Sequence, residues 1–86
     1  MSKTYIAHDK TSGITCGGGL SVCIAWALGR VKQYPKSIIV IIRARPSENG
    51  LVVAEIDHSG GRWIFGGRSV PKRELSKLAR RAVAHG

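Results

Sequence analysis

A row of basic side chains near the C-terminus repeats at the spacing of one helix face. At about 100° per residue, the cations that fall opposite an apolar stripe are Arg73, Lys77, Arg80 and Arg81. Arg68 and Lys72 lie at the start of the same predicted helix, where free N–H groups attract anions. Cations in a first helical turn oppose the helix dipole and cost roughly 0.3–1 kcal/mol each. A bound phosphate would remove that cost, so the row indicates a phosphate-contacting face; an ordinary solvated basic face is the alternative.

The helix that positions these cations has a predicted start and a predicted buried side. Pro71 suits the first helical position, where its missing N–H is not needed, and Ser69 is a candidate cap. The apolar stripe consists of Leu75, Leu78, Ala79, Ala82 and Val83. Because such a stripe packs on a core, the cationic side is expected to face solvent.

Other groups of reactive residues do not form a predicted active site. Asp57, His58 and Ser59 supply an acid, an imidazole and a hydroxyl, but adjacent residues of a strand point to opposite faces and cannot form a triad. His58 is therefore interpreted as a structural residue beside a turn, with a catalytic role as the alternative. Gly17-Gly18-Gly19 precedes a helix but lacks the Lys-Ser/Thr ending of a phosphate-binding loop. The sequence contains no Cys/His cluster that would indicate a metal site. We therefore expect neither an enzyme nor a cofactor.

The composition indicates one small basic domain, residues 1–86. Fourteen Lys and Arg against five Asp and Glu give a formal net charge of +9, which favours polyanions or acidic protein surfaces as partners. Cys16 and Cys23 are the only cysteines and are expected to be reduced thiols, with Cys23 buried. The apolar run at 20–28 is too short to span a bilayer, and no secretory leader precedes it. We therefore expect a cytoplasmic protein.

Hydrophobic patterning predicts an α+β fold in the order β-α-β-β-β-α. Strands are expected at 4–8, 14–16, 36–45, 51–58 and 62–65, and a first helix over 20–33. Residues 46–50 are expected to form a hairpin loop, and the triple glycine a connector. The first helix is apolar nearly all round, which predicts burial on more than one side. The sheet is thus predicted to be antiparallel with three to five strands, packed with two helices.

Turn lengths allow a prediction of which residues share a sheet face. Pairing Arg45 with Leu51 defines a core face under the C-terminal helix, made of Ile38, Val40, Ile42, Val52, Ala54, Ile56, Trp63 and Phe65. The opposite face is then expected to hold Arg43, Arg45, Arg62, Glu55, Asp57, Ile39, Ile41, Leu51, Val53 and Ile64. The two carboxylates are interpreted as cross-strand partners of arginines. Because both faces carry aliphatic residues, the first helix or a second subunit must cover the second one, and we expect a homodimer.

The second half of the chain resembles a nucleic-acid-binding family. Gly66-Gly67-Arg68-Ser69, followed by Lys72-Arg73-Glu74-Leu75-Ser76-Lys77 and Ala79, is similar to the C-terminal part of a double-stranded-RNA-binding domain. That family runs helix, three antiparallel strands, helix. The resemblance covers residues 60–83 and implies that Lys72, Arg73 and Lys77 contact phosphates across a major groove. Val70-Pro71 interrupts the family's motif, and Ser76 stands where a lysine is usual.

A further resemblance, over residues 38–82, is to the arm-type DNA-binding domains of phage integrases. Three strands followed by a helix, with Arg45-Pro46-Ser47 opening the first turn, carry it. Those domains place a sheet in the major groove, which implies contacts from Arg43, Arg45 and Arg62. Topology alone does not carry function. Both resemblances imply contact with the phosphate backbone of a nucleic acid. They differ on which face of the protein makes that contact.

These observations predict a small basic protein that binds the phosphate backbone of duplex RNA or DNA. Little base specificity is expected, because phosphate contacts position a protein whereas base contacts specify the site. Trp63 and Phe65 are expected in the core, with base stacking as the alternative. The competing function is a phage or mobile-element inhibitor or accessory protein that binds an acidic surface of a host protein or nucleoprotein complex.

Overall fold

Six antiparallel strands and two helices make up the described part of the chain. The computed structural model describes residues 4–45, 48–64 and 66–85. The strands are β1 Tyr5–Asp9, β2 Thr15–Gly18, β3 Ile39–Arg45, β4 Glu48–Asp57, β5 Gly60–Trp63 and β6 Ser69–Val70, and the helices are α1 Leu20–Gln33 and α2 Lys72–His85. The strand order across the sheet is β2-β1-β3-β4-β5-β6. The predicted α+β class and element order are confirmed, with β6 as a strand beyond the three to five expected.

Both helices pack on the same face of this sheet. Ala7, Ile41 and Ala54 are neighbours across β1, β3 and β4, and all are buried. The helical residues packed against this face are Cys23, Ile24, Ala27, Val31 and Leu75. Helix α1 also packs along α2, so the prediction that it is buried on more than one side is confirmed. The alternative in which α1 covers the second sheet face is wrong.

The second sheet face carries no helix among the described residues. We call it the open face; by strand register its residues are Ile6, His8, Val40, Ile42, Val52, Glu55, Asp57 and Arg62. Ile6, Ile42 and Val52 form one cross-strand row, and Val40 lies beside them. The open face therefore has an aliphatic centre with charged residues toward β5.

The predicted register of β3 against β4 is wrong by one residue at Ile39 to Ile41, by two at Ile42 and Arg43, and by three at Arg45. Ile39 pairs with Ile56 and Ile41 with Ala54, whereas Ile42 pairs with Val52, because a bulge leaves Val53 without a partner. The core face thus takes Ile39 and Ile41 in place of the predicted Ile38, Val40, Ile42 and Val52. Since side chains alternate with period two, one inserted residue exchanges the two faces of a strand.

Trp63 is on the helix-covered face, as predicted. It pairs with Ala54 and packs partly buried against the core. Phe65 lies outside the described residues. The expected base-stacking alternative for Trp63 would need an exposed ring, and this ring is partly covered by the helix layer.

Two predicted turns are shorter than expected. Glu48 to Gly50 belong to β4 rather than to a hairpin loop, and Pro46 and Ser47 lie outside the described residues. Gly17 and Gly18 belong to β2, so only Gly19 connects β2 to α1, as the N-cap residue. Neither helix in the described part of the chain has the length and apolar content needed to cross a membrane.

Candidate nucleic-acid interface

Helix α2 presents a row of cations along its outer side. Leu75 is 1 % exposed against the core, with Leu78 and Ala79 packed beside it. The exposed cations opposite, which we call the α2 row, are Arg73, Lys77 and Arg80. At 1.5 Å rise per residue the row extends about 10 Å along the helix. The amphipathic prediction is confirmed for these residues; the side chains of Arg81, Ala82 and Val83 lie outside those described.

The start of α2 differs from the prediction in its cap. Pro71 precedes the helix, and its carbonyl accepts hydrogen bonds from the amides of Glu74 at 3.0 Å and Leu75 at 3.1 Å. Pro71 is therefore the N-cap and not the first helical residue. Ser69 is not a cap either, because it pairs with Arg62 in the sixth strand. Lys72 is the first residue of α2 and is exposed, as expected.

Arg68 forms an ion pair with the acidic residue of the first turn of α2. Its Nη2 lies 2.9 Å from Oε1 of Glu74, and the two side chains are 64 % and 42 % exposed. A pair this exposed contributes about 0–1 kcal/mol. Glu74 also partly offsets the unfavourable interaction of Lys72 and Arg73 with the helix dipole. Arg68 can therefore exchange this carboxylate for a phosphate at small cost.

The arginines of the sheet do not form one surface. Arg62 of β5 lies on the open face opposite Glu55 of β4, and Asp57 lies two residues beyond Glu55 on β4. Arg43 pairs with Tyr5 and Leu51 and lies on the helix-covered face. The expected grouping of Arg43 with Arg62 on one face, and the cross-strand pairing of Arg43 with Glu55 or Asp57, are therefore wrong. The side chain of Arg45 lies outside those described.

Both carboxylates and Arg62 line a groove of about 490 Å³ on the open face. Two carboxylates beside one guanidinium leave a net negative charge, which repels a phosphate. The integrase resemblance implies a sheet surface with several arginines. The described side chains of the sheet do not form such a cluster.

Cations from separate elements gather at one end of the sheet, which sequence reasoning missed. The antiparallel order places together the end of β1, the start of β3, the β4–β5 turn and the start of α2. Lys10 follows β1, and its amide donates a hydrogen bond to the Ile38 carbonyl at 2.9 Å. We call this the basic end; its exposed cationic and imidazole side chains are Lys10, Lys32, Lys36, His58 and Lys72. Each one flanks a strand or helix terminus, and only the strand order shows that these termini meet.

A buried carboxylate holds the basic end together. Asp9 is 0 % exposed, and Arg30 Nε donates to its Oδ2 at 2.8 Å. The amides of Thr11 and Ser12 donate to Oδ1 at 2.9 and 3.3 Å. Burial by itself raises the pKa of Asp9, but hydrogen bonds from Arg30, from these amides and from Ser37 lower it to about 2. Asp9 thus closes the β1–β2 turn and docks α1 on it.

Arg30 serves this structural role and is not a free cation. Its guanidinium lies over the rings of Trp26, 5.5 Å from the centroid, and Tyr34, 4.8 Å from the centroid. Its Nη2 also donates to Ser12 Oγ at 3.3 Å. The charge of Arg30 is matched by Asp9, so this arginine is not available to a polyanion.

The Asp57-His58-Ser59 sequence forms a turn and not a catalytic triad. Ser59 donates to Asp57 Oδ1 from its amide at 2.8 Å and from its hydroxyl at 2.6 Å. The hydroxyl hydrogen bond lowers the pKa of Asp57 and outweighs the opposite effect of burial. The carboxylate therefore binds the serine and not the imidazole, and His58 is exposed. Among the described residues, no three His, Cys, Asp or Glu side chains are grouped as a metal site.

The two cysteines lie near each other as thiols. Cys23 is buried on α1, as predicted, and Cys16 is partly buried on β2. The Cys23 thiol lies 3.8 Å from the Cys16 carbonyl. Burial raises the pKa of Cys23, as does the neighbouring Cys16, so the protonated form is favoured.

Comparisons with protein-family models, with curated proteins and with solved structures gave no match for this chain.

Proposed function

We propose that this protein binds the phosphate backbone of duplex nucleic acid with little base specificity and without catalysing a reaction. The observation that carries the proposal is the α2 row, Arg73, Lys77 and Arg80, exposed together on a chain of net charge +9. Like charges three and four residues apart destabilise a helix by about 0.2–0.5 kcal/mol per pair. A polyanion removes this repulsion and releases its own counterions in return.

The residue types of α2 support backbone contact over base reading. The helix contains no Asn or Gln, the side chains that read adenine, and no Phe, Tyr or Trp that would stack on a base, so base reading by α2 would fall mainly to arginines and lysines contacting guanine. Lys and Arg are the main phosphate-contacting side chains. The free thiols of Cys16 and Cys23 fit a reducing compartment, so the proposed location is the cytoplasm.

The test is a titration of random-sequence duplexes with the protein. Fluorescently labelled DNA and RNA duplexes of equal length are titrated over a salt series, with heparin as a competitor. We expect binding to both, insensitive to sequence and strongly weakened by salt. The triple variant Arg73→Gln/Lys77→Gln/Arg80→Gln should reduce the salt slope by roughly 0.9 for each phosphate that the variant no longer neutralises.

A matched variant separates a local interface from net charge. Lys10→Gln/Lys36→Gln/Arg62→Gln removes the same number of charges from sites away from the α2 row. It should weaken binding less than the triple variant of the row. Equal weakening by both variants would mean that net charge alone governs binding. No binding to either duplex at low salt would contradict the proposal and favour the acidic protein surface as the partner.

A further inference from the structure

A groove opens between the two helices at the basic end. Leu28 and Val31 of α1 form its apolar floor. Its polar lining comes from three elements and comprises Lys32 of α1, His58 of the β4–β5 turn, and Lys72 and Ser76 of α2. The groove has a volume of about 290 Å³, which is just below the usual size of small-molecule sites. It is large enough for a phosphate with part of its sugar and too small for a longer segment.

The charges that line this groove are of one sign. Its described lining residues include no carboxylate, whereas the groove on the open face contains Glu55 and Asp57. A groove of about 430 Å³ on the other side of α1 contains Arg30, but Asp9 already neutralises that guanidinium. That groove also has no carboxylate in its described lining, but apart from Arg30 its one cation is Lys36. The groove between the helices has two lysines and a histidine in its described lining.

Phosphate is the anion that suits this lining. Lysine ammonium groups bind phosphate as strong point charges, and the Ser76 hydroxyl adds a hydrogen-bond donor. The carbon atoms of a ribose or deoxyribose match the floor made by Leu28 and Val31. Lysine binds carboxylate and phosphate alike as a point charge, so the apolar floor is what favours a phosphate joined to a sugar over the carboxylate of an acidic peptide.

The groove continues the α2 row. At about 100° per residue, Lys72 and Ser76 lie on the side of α2 that faces α1, and Arg73 is the next step toward the outer side. A backbone strand crossing the α2 row can therefore place its next phosphate between the helices. The contact surface would then extend beyond α2 to α1 and the β4–β5 turn.

We propose that this groove, lined by Lys32, His58, Lys72 and Ser76, is a seat for one backbone phosphate of the bound nucleic acid. The inference deepens the proposed function and rests on it. It adds Lys32 and His58, neither of which the sequence predicted as a contact to nucleic acid, to the binding residues.

The test compares two variants of equal net charge. Lys32→Gln/Lys72→Gln removes both lysines of the groove, and Lys10→Gln/Lys36→Gln removes two exposed lysines of the same basic end that do not line it. One phosphate fewer in the interface lowers the salt slope by roughly 0.9, which reduces the fall in affinity between about 50 and 200 mM salt by roughly 3.5-fold. We expect this change for the groove variant and a smaller one for the control. Equal changes in both variants would overturn the inference.

Amide chemical shifts test the groove separately from the α2 row. In labelled wild-type protein, the duplex should shift the amides of Lys32, His58 and Ser76, and inorganic phosphate at millimolar concentration should shift the same amides. If the duplex shifts the amides of the α2 row and leaves the groove amides unchanged, the proposed function stands and this inference fails. If the duplex does not bind at all, both fail. Thermal unfolding of each variant serves as the folding control.

Discussion

The contact between Asp9 and Arg30 should be the most sensitive polar interaction in the fold. Arg30→Met keeps an apolar stem like that of arginine but removes the guanidinium, and with it the charge and the 2.8 Å hydrogen bond to Asp9. The Asp9 side chain is 0 % exposed and that of Arg30 is 18 % exposed. Removing one partner of a buried pair costs about 3–5 kcal/mol, and the partial exposure of Arg30 favours the lower value.

A loss of about 3 kcal/mol is large for this chain. At about 0.05–0.15 kcal/mol per residue, 86 residues give a free energy of unfolding of about 4–13 kcal/mol. We expect Arg30→Met to lower the urea midpoint at pH 7 by this free energy divided by the m value, the dependence of the free energy of unfolding on urea concentration. The m value itself should not change. Fluorescence of Trp26 and Trp63 reports the transition, and both proteins must be compared at one concentration.

The pH dependence of this loss identifies its cause. In the wild type the pKa of Asp9 is lowered from 3.8 to about 2. The stability due to the ionised carboxylate is therefore fully present above about pH 3.8 and lost as the pH falls through about 2. Without Arg30, burial of Asp9 is less opposed, and its pKa rises relative to the wild type. The difference in free energy of unfolding between wild type and variant should thus narrow as the pH falls from 7 toward 2.

Two controls complete the experiment. Arg30→Lys keeps a charge beside Asp9 and should lose less stability than Arg30→Met. The double variant Asp9→Asn/Arg30→Met removes the uncompensated carboxylate and should be no less stable than Arg30→Met alone. An Arg30→Met protein within about 0.5 kcal/mol of the wild type at pH 7, with no change in the difference at low pH, would refute the assignment.

Three further predictions follow from packing and backbone geometry. Trp63→Ala should cost about 3 kcal/mol in urea unfolding, because the ring packs partly buried on the core; near-normal stability together with weakened duplex binding would make Trp63 a stacking residue instead. Gly60→Ala should destabilise the fold, since Gly60 has φ +145° and an added Cβ would lie 3.0 Å from the Val70 carbonyl oxygen. Gly29 lies in a helix with open space around it, so Gly29→Ala should stabilise the fold by up to about 1 kcal/mol. The reverse order of melting temperatures would contradict this prediction. The aliphatic centre of the open face predicts a homodimer, because no described helix packs on it and Ile6, Ile42 and Val52 are partly exposed. Sedimentation equilibrium at micromolar concentration should therefore give about twice the 9.3 kDa chain mass, and a monomer would refute it.

The sequence was sufficient for the elements that depend on local patterning. Apolar residues spaced along α2 predicted its buried side, because a helix must place such a stripe on a core, and Leu75 confirms it. The β-branched run at 38–42 predicted a central strand, which β3 is. The burial of Cys23 and the placement of Trp63 on the same sheet face as Ala54 were also predicted from the sequence.

The arrangement of those elements required the tertiary structure. Two register shifts between β3 and β4, one of which leaves Val53 without a partner, decide which residues of the two strands share a face, and nothing in the local pattern of isoleucines and valines predicts them. The placement of α1 and α2 on one face depends on how an apolar helix and an amphipathic helix pack together, which no single segment encodes.

The candidate interface divides in the same way. Helical periodicity in the sequence determined the α2 row, since its residues are three and four positions apart on one element. The groove formed by Lys32, His58 and Lys72 joins three residues that are far apart in the chain. The ion pair between Arg30 and Asp9 likewise joins two distant residues. Such contacts exist only once the antiparallel order brings several strand ends and helix ends together, because charge interactions depend on distance in space and not on distance along the sequence.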